Sequence, residues 1–302
     1  MVRDSSYCTC NFTLYYFLVV YSGMKVKKAN NIDLIITDLD GTLLNSHHSV
    51  SKKDLQILRK LKQKGIYSVI ATGRSFFSVK KVLPMDFPID YLIFSCGAGI
   101  MEWNSKNIIF SSQMDPQQVV EISKKLISMD LDFMIQSPIP DNHKFFYYHS
   151  GRENPDFHRR IELYKKFAEP LNTNLKDYGP ASQIIAISED GKHIFSKIKN
   201  KIKNIHIVRS TSPLDYKTNW IEIFAQGISK AHTARWLCDK LGISHNNTLA
   251  IGNDYNDVKL LEWANASFVV ENAPEEIKEC FTVTKSNNNS GFSEAVKKVI
   301  EI

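Results

Sequence analysis

Two aspartates at the end of one short apolar run constrain this chain more than any other stretch. Asp33-Leu34-Ile35-Ile36-Thr37 reads as a buried strand, and Asp38-Leu39-Asp40-Gly41-Thr42 follows it. Gly41 and the polar residues beyond it end the strand. Asp38 and Asp40 therefore sit at its carboxyl end, where open α/β sheets bind ligands. Two carboxylates turned towards one place repel each other unless a cation joins them. Mg2+ suits such a place, because it is hard, prefers oxygen and needs few protein ligands.

Other strand-like runs end in polar residues too. Tyr67 to Ala71 leads into Thr72-Gly73-Arg74, and a hydroxyl there, beside the helical stretch from Ser75, is well placed for a phosphate oxygen. Between these runs, Leu55, Leu58 and Leu61 have helical spacing over residues 51–64, and Gly65 fits a helix terminus. Tyr91 to Phe94 is a third strand, followed by Ser95-Cys96-Gly97-Ala98-Gly99. Trp220 to Phe224 reads as a further strand of the same layer, and Ser229 caps a helix from Lys230 to Leu241. A lysine in the first turn opposes the helix dipole, which favours an anion beside Lys230. Thr248 to Ile251 is again a buried strand, ending in Gly252-Asn253-Asp254-Tyr255-Asn256-Asp257.

Residues 100–212 differ in character. Short β-like runs (Ile108 to Ser111, Phe145 to His149, Gln183 to Ile187, Ile205 to Val208) alternate with helical ones (Pro116 to Met129, Pro155 to Phe167, Lys192 to Lys203). This is an α+β pattern without a motif of its own.

Four polar strand ends in this order resemble the motifs of the haloacid dehalogenase (HAD) superfamily, in its Cof-like phosphatase branch with a C2-type cap. Asp-Leu-Asp-Gly-Thr-Leu-Leu is similar to the first motif, Ala-Thr-Gly-Arg to the second, Gly-Ile-Ser-Lys to the third, and Gly-Asn-Asp-Tyr-Asn-Asp to the fourth. The resemblance covers roughly residues 32–302. It implies an α/β fold: a Rossmann-like parallel sheet core with helices on both faces, plus an inserted α+β cap domain. Residues 24–99 and 213–302 would form the core and residues 100–212 the cap. It implies a Mg2+-dependent phosphatase acting on small phosphorylated metabolites, with Asp38 as nucleophile and Asp40 as general acid and base. Thr72, Gly73 and Lys230 would hold the phosphate, and Asp38, Asp40, Asn253 and Asp257 the metal. The chain departs from the family at Cys96, where Asn is usual, and at Asn253, where Asp is usual. Asp257 is expected to supply the charge that Asn253 lacks, ahead of Asp254. Within the cap, His143, Tyr147, Tyr148, His149 and Arg152 are candidates for substrate contact. A sugar phosphomutase and a non-catalytic phosphate-ligand-binding protein are the alternatives.

Composition fits a soluble globular chain of 302 residues, 43% hydrophobic and 23% charged. The formal charge of +6 is spread along the sequence, so neither a nucleic-acid partner nor a membrane is expected. The five cysteines are scattered, with no Cys-x-x-Cys pair, which points to a reducing cytoplasm. Residues 1–23 read as an N-terminal extension. The apolar run Phe12 to Tyr21 is shorter than the ~20 residues a membrane-spanning helix needs, and Met24 offers a second start.

Overall fold

The computed structural model describes residues 31–174, 177–212, 214–215 and 217–302. The expected extension over residues 1–23 lies outside them.

The chain builds two sheets. Strands β1 (Leu34–Thr37), β2 (Tyr67–Ala71), β3 (Tyr91–Phe94), β4 (Gly99–Glu102) and β5 (Ile108–Ser111) come first. They are joined late in the chain by β12 (Thr248–Gly252), β13 (Ala266–Val270) and β14 (Thr282–Thr284). The order is β14-β13-β12-β1-β2-β3-β4-β5. The six strands from β14 to β3 run parallel, and β4 and β5 add an antiparallel edge. From β1 the chain winds one way to β2 and β3, and returns on the other side as β12 and β13. The strand order therefore reverses at β1, so the crevice beyond the ends of β1 and β12 is the ligand site such a sheet offers.

Helices cover both faces, as expected for parallel strands buried on both sides. Ile35 of β1 packs with α1 (Lys52–Gln63) and α9 (Gly291–Val299) through Leu58, Leu61, Phe292 and Val296. Leu34 and Ile36 point the other way, against Ala234 and Leu237 of α6 (Lys230–Leu241) and Leu260 of α7 (Val258–Trp263). Ser51 caps α1 by accepting from the Asp54 amide at 3.0 Å, and Gly242, at φ 68°, ends α6 in the left-handed conformation.

The second sheet has the order β10-β11-β9-β6-β7-β8, with β6 (Asp132–Gln136), β7 (Phe145–Tyr148), β8 (Ala168–Pro170), β9 (Gln183–Ser188), β10 (Ile205–Thr211) and β11 (Asn219–Ala225). Helices α3 (Pro116–Ser128) and α5 (Gly191–Lys201) pack on one face through Val119, Ile122, Leu126, Ile194 and Ile198. Helix α4 (Pro155–Leu163) packs on part of the other through Phe157.

Strand pairing moves both boundaries expected for the insert. Residues 99–111 belong to the first sheet as an antiparallel hairpin. Residues 219–225, expected in the core, pair antiparallel with β9 and β10 in the second sheet. The run was misleading because β11 feeds directly into Ser229 and α6, which in sequence looks like a β-α unit of the core. The turn at Gly227, with φ 86°, instead marks the chain's return to the first sheet.

Asp54 ties the early and late helices together. It is 1% exposed, and its Oδ1 accepts from the Ser293 amide at 3.0 Å and the Ser293 hydroxyl at 2.6 Å. Its Oδ2 takes the Ser51 hydroxyl at 2.7 Å. Replacing it with alanine strands two buried donors on Ser293 and a half-buried one on Ser51, so Asp54→Ala should lower the unfolding free energy by about 3 kcal/mol. Urea titration measures this, and a change within error of zero would show that the network carries no stability.

Candidate active site

Asp38 leaves the end of β1 with its amide donating to the Ile251 carbonyl of β12 at 2.8 Å. That bond locks the two strand ends together and sets the carboxylate in the crevice, 6% exposed. Lys230 reaches the same point from the first turn of α6. Its ammonium is 1% exposed and donates to Asp38 Oδ1 at 2.6 Å, Asp257 Oδ1 at 2.7 Å and Asn256 Oδ1 at 3.2 Å. Burial opposes the lysine's charge, but Asp257 and Asp38 outweigh it and hold Lys230 protonated well above the ordinary lysine range. The nucleophile candidate is affected the other way. Burial raises the Asp38 carboxyl to about 8 despite the pull of Lys230, with Asp257 adding to the rise. One ammonium thus serves two buried carboxylates, and the centre lacks positive charge.

Asp257 is placed differently from expectation. It is fully buried, with Oδ1 on Lys230 and Oδ2 accepting the amides of Asn253 and Asp254 at 2.9 and 3.1 Å. Both oxygens are engaged, so Asp257 anchors the lysine and the loop and is not turned towards Asp38 and Asp40 as a metal ligand. Asp254 is not there either. Its carboxylate accepts from the Thr211 amide at 3.0 Å, the Thr211 hydroxyl at 3.3 Å and the Tyr255 amide at 2.8 Å, joining the loop after β12 to the end of β10. Beside it, the Arg209 guanidinium lies 4.0 Å from the centre of the Tyr255 ring.

Among the described residues, no three His, Cys, Asp or Glu side chains gather as a metal-ligand group. A mixed oxygen set does form. The Asn253 side-chain end approaches the Asp40 carbonyl at 3.1 Å, Asp38 Oδ2 at 3.2 Å and the Thr42 hydroxyl at 2.9 Å. With its oxygen on that side, only the Thr42 hydroxyl can donate to it, and the remaining oxygens face one another with no proton between them. Such a set is stable around a hard cation, or with the amide turned so that its nitrogen donates to all three. These residues therefore fit a divalent cation bound by Asp38, the Asp40 backbone carbonyl and Asn253. The Asp40 side chain is not part of the set, because Arg74 holds it in a two-pronged ion pair with both distances 2.7 Å.

Thr72 and Gly73 reach the same crevice. Thr72 is 1% exposed, and its hydroxyl accepts the Arg74 amide at 3.1 Å, leaving its proton to donate. A Cβ on Gly73 would lie 3.4 Å from Cys96 Sγ and 3.9 Å from Asn256 Nδ2, so bare main chain lines this point. Cys96 and Ser95 turn the chain at φ 51° and 49°, a conformation that Asn tolerates better than most residues. Burial raises the Cys96 thiol well above its usual range, so it is a neutral wall.

Arg74, Asn256 and Thr42 complete the site, with no role assigned to them by the motif strings alone. Each lay inside a motif string, but only the folded contacts reveal their partners. Of the five cap candidates, His143 stacks on Phe77 of the short helix α2 (Phe76–Val79) at 4.4 Å. The others are engaged inside the second unit. Tyr147 and Tyr148 pack on Phe157 and Phe133, while His149 and Arg152 pair with Asp132 and Asp130.

Comparison with known proteins finds relatives in sequence and in fold. A 5-amino-6-(5-phospho-D-ribitylamino)uracil phosphatase of Bacillus subtilis, YwtE, is 25% identical over 288 residues, covering 88% of this chain and 97% of its own. A second B. subtilis phosphatase of the same description, YcsE, is 25% identical over 270 residues, covering 88% and 95%. Among solved structures, a phosphatase of the HAD superfamily from Bacteroides thetaiotaomicron superposes with a TM-score of 0.73 at 20% identity, over 92% of this chain and 98% of the other. A HAD subclass IIB sugar phosphatase gives 0.69 at 18%, over 88% and 98%. The family described as haloacid dehalogenase-like hydrolase matches residues 35–296, and with that span the chain belongs to it.

Proposed function

We propose that this hydrolase is a Mg2+-dependent phosphatase of small phosphorylated metabolites, sugar phosphates above all, working through an aspartyl phosphate. The observation that carries the reading is the buried Asp38 carboxylate at 2.6 Å from the Lys230 ammonium, at a sheet's switch point with a second aspartate two residues on. The activities named for the relatives, dephosphorylation of a ribityl phosphate and of sugars, support the substrate class. Among the described residues no helix is long and apolar enough to cross a membrane, and a small-metabolite phosphatase of this kind suits the cytoplasm.

An Asp38 oxygen attacks phosphorus as the bond to the leaving oxygen breaks, and Asp40 gives that oxygen a proton. Water then attacks the aspartyl phosphate, Asp40 takes its proton, and the Asp38–phosphorus bond breaks to release phosphate. Arg74 holds Asp40 in place through both steps, and one of its two hydrogen bonds opens while that carboxyl carries the proton. Lys230, Thr72 and the main chain at Gly73 hold the transferring oxygens, where fixed donors in a dry site stabilise developing charge. Mg2+ held by Asp38, the Asp40 carbonyl and Asn253 would supply the missing positive charge between the anionic nucleophile and the anionic ester.

Phosphate release from phosphorylated metabolites should require Mg2+ and stop in EDTA. Release equal in both would overturn the metal reading. Asp38→Asn should abolish turnover with circular dichroism unchanged, and retained turnover would exclude the covalent route. Asp40→Asn should slow hydrolysis by about 10²–10⁴-fold, most for poor leaving groups. An equal loss for good and poor leaving groups would contradict the acid role.

Asn253→Asp replaces an amide that can donate to Asp38 and the Asp40 carbonyl with a carboxylate that repels them. In EDTA the variant should melt below wild type, and Mg2+ should raise its melting temperature more than it raises that of wild type. Identical melting behaviour with and without Mg2+ would remove Asn253 from the metal set.

A further inference from the structure

The loop after β12 has two sides. Asn253, Asn256 and Asp257 turn towards the reacting centre, the first at the mixed oxygen set and the other two on Lys230. Asp254 and Tyr255, between them in the chain, turn the other way, to Thr211 and Arg209 of β10. A residue bonded to the second sheet therefore stands next to one of the candidate metal ligands.

Asp254 is held from both directions. Its Oδ2 accepts the Thr211 amide at 3.0 Å and its Oδ1 the Thr211 hydroxyl at 3.3 Å. Its main chain is bonded twice to Asp257. The Asp254 amide donates to Asp257 Oδ2 at 3.1 Å, and the Asp254 carbonyl accepts the Asp257 amide at 2.9 Å. The peptide group between Asn253 and Asp254 is thus pinned at a point that Thr211 also controls. If β10 shifts, either the bonds to Thr211 break or the loop moves with it, and Asn253 moves too.

Asn253 is sensitive to such a movement. Being an amide, it brings a dipole and no charge to a cation, so its contribution depends on where its oxygen points. Its side-chain end meets the Thr42 hydroxyl at 2.9 Å. A hydroxyl rotates to donate or accept, so this contact leaves the placement of Asn253 to its main chain. A carboxylate at the same position would attract the cation over a wider range of orientations.

We propose that Asp254 is a positioning residue for the metal: by tying the loop to Thr211 it sets the placement of Asn253, so that the second unit helps to hold Mg2+ without touching it. The proposal rests on the metal set described above and adds to it a dependence on the second sheet. Coupling of this kind is reciprocal. A cation that fixes Asn253 also favours the seating of β10 against the loop.

The test reads Mg2+ affinity in two ways. One is the concentration that gives half of the Mg2+-induced rise in melting temperature, without substrate. The other is the concentration that gives half-maximal turnover of p-nitrophenyl phosphate. The units keep other contacts, among them Asn142 on Ser95 at 2.5 Å and His143 on Phe77, so loss of this tie should leave them assembled. Asp254→Ala should raise both concentrations by about tenfold or more, as loss of a partner that orients a ligand does. Its kcat at saturating Mg2+ should fall by a smaller factor. Asp254→Asn removes the same charge but can keep the tie, accepting from the Thr211 amide and donating to the Thr211 hydroxyl. It should therefore lose less affinity than the alanine variant. Thr211→Val, in the other unit and with the Asp254 charge untouched, should weaken Mg2+ in the same direction. Equal losses in the asparagine and alanine variants would reduce Asp254 to a nearby charge and overturn the proposal. A lowered melting temperature with wild-type Mg2+ response would do the same. If the alanine variant does not fold, Thr211→Val decides, and unchanged affinity there overturns the proposal. A wild type whose melting temperature Mg2+ does not move overturns the metal set along with it.

Discussion

The Lys230 ammonium is the point on which the site depends. Asp38 comes from the end of β1, Asp257 from the start of α7 and the lysine from the start of α6, and all three side chains are almost wholly buried. A buried charge survives only when paired and hydrogen-bonded. Remove the lysine, and two carboxylates face each other in a dry crevice while the Asn253–Asp254 loop loses its anchor. Because one cation serves two acids, the centre is also short of positive charge. That shortage prepares it to accept a divalent cation next to a phosphate ester.

Much of the first sheet was legible in the sequence because each strand there is short, apolar and closed by a polar turn. Asp38, Thr72, Lys230 and the Gly252–Asp257 loop stand where their strand ends predicted. What failed was pairing, which is a property of two segments and leaves no mark in either alone. Residues 219–225 look like a core strand, yet their hydrogen bonds go to β9 and β10. The same limit applied to individual oxygens. Asp257 was expected at the metal to supply the charge that Asn253 lacks, but its oxygens accept from two backbone amides and a lysine. Arg74 and Asn256 were visible as letters in a motif, and only three dimensions show that one aims Asp40 and the other steadies Lys230.

The two units also meet outside the crevice. Asp254 binds the end of β10 and Tyr255 carries Arg209, so the loop that anchors Lys230 also touches the second sheet. Phe77, from the stretch after Thr72, stacks on His143 of that unit. Both contacts start from loops that form the site, so the position of the second sheet and the shape of the first sheet's crevice are set by shared residues.

Sequence separation in these contacts bears on synthesis. Asp38 waits 192 residues for Lys230, and Asp54 waits 239 for Ser293. As the chain leaves the ribosome, its first strand and helix emerge with their charges unmatched, and the inserted sheet, whose partners are nearer in sequence, can close before them. The parallel layer is completed only when β12 to α9 arrive, so the nascent protein carries an open sheet edge for most of its translation. Contacts of such long range fold slowly and leave strand edges available to other chains. Any association of the nascent chain through that edge would fall in the interval before β12 to α9 are made.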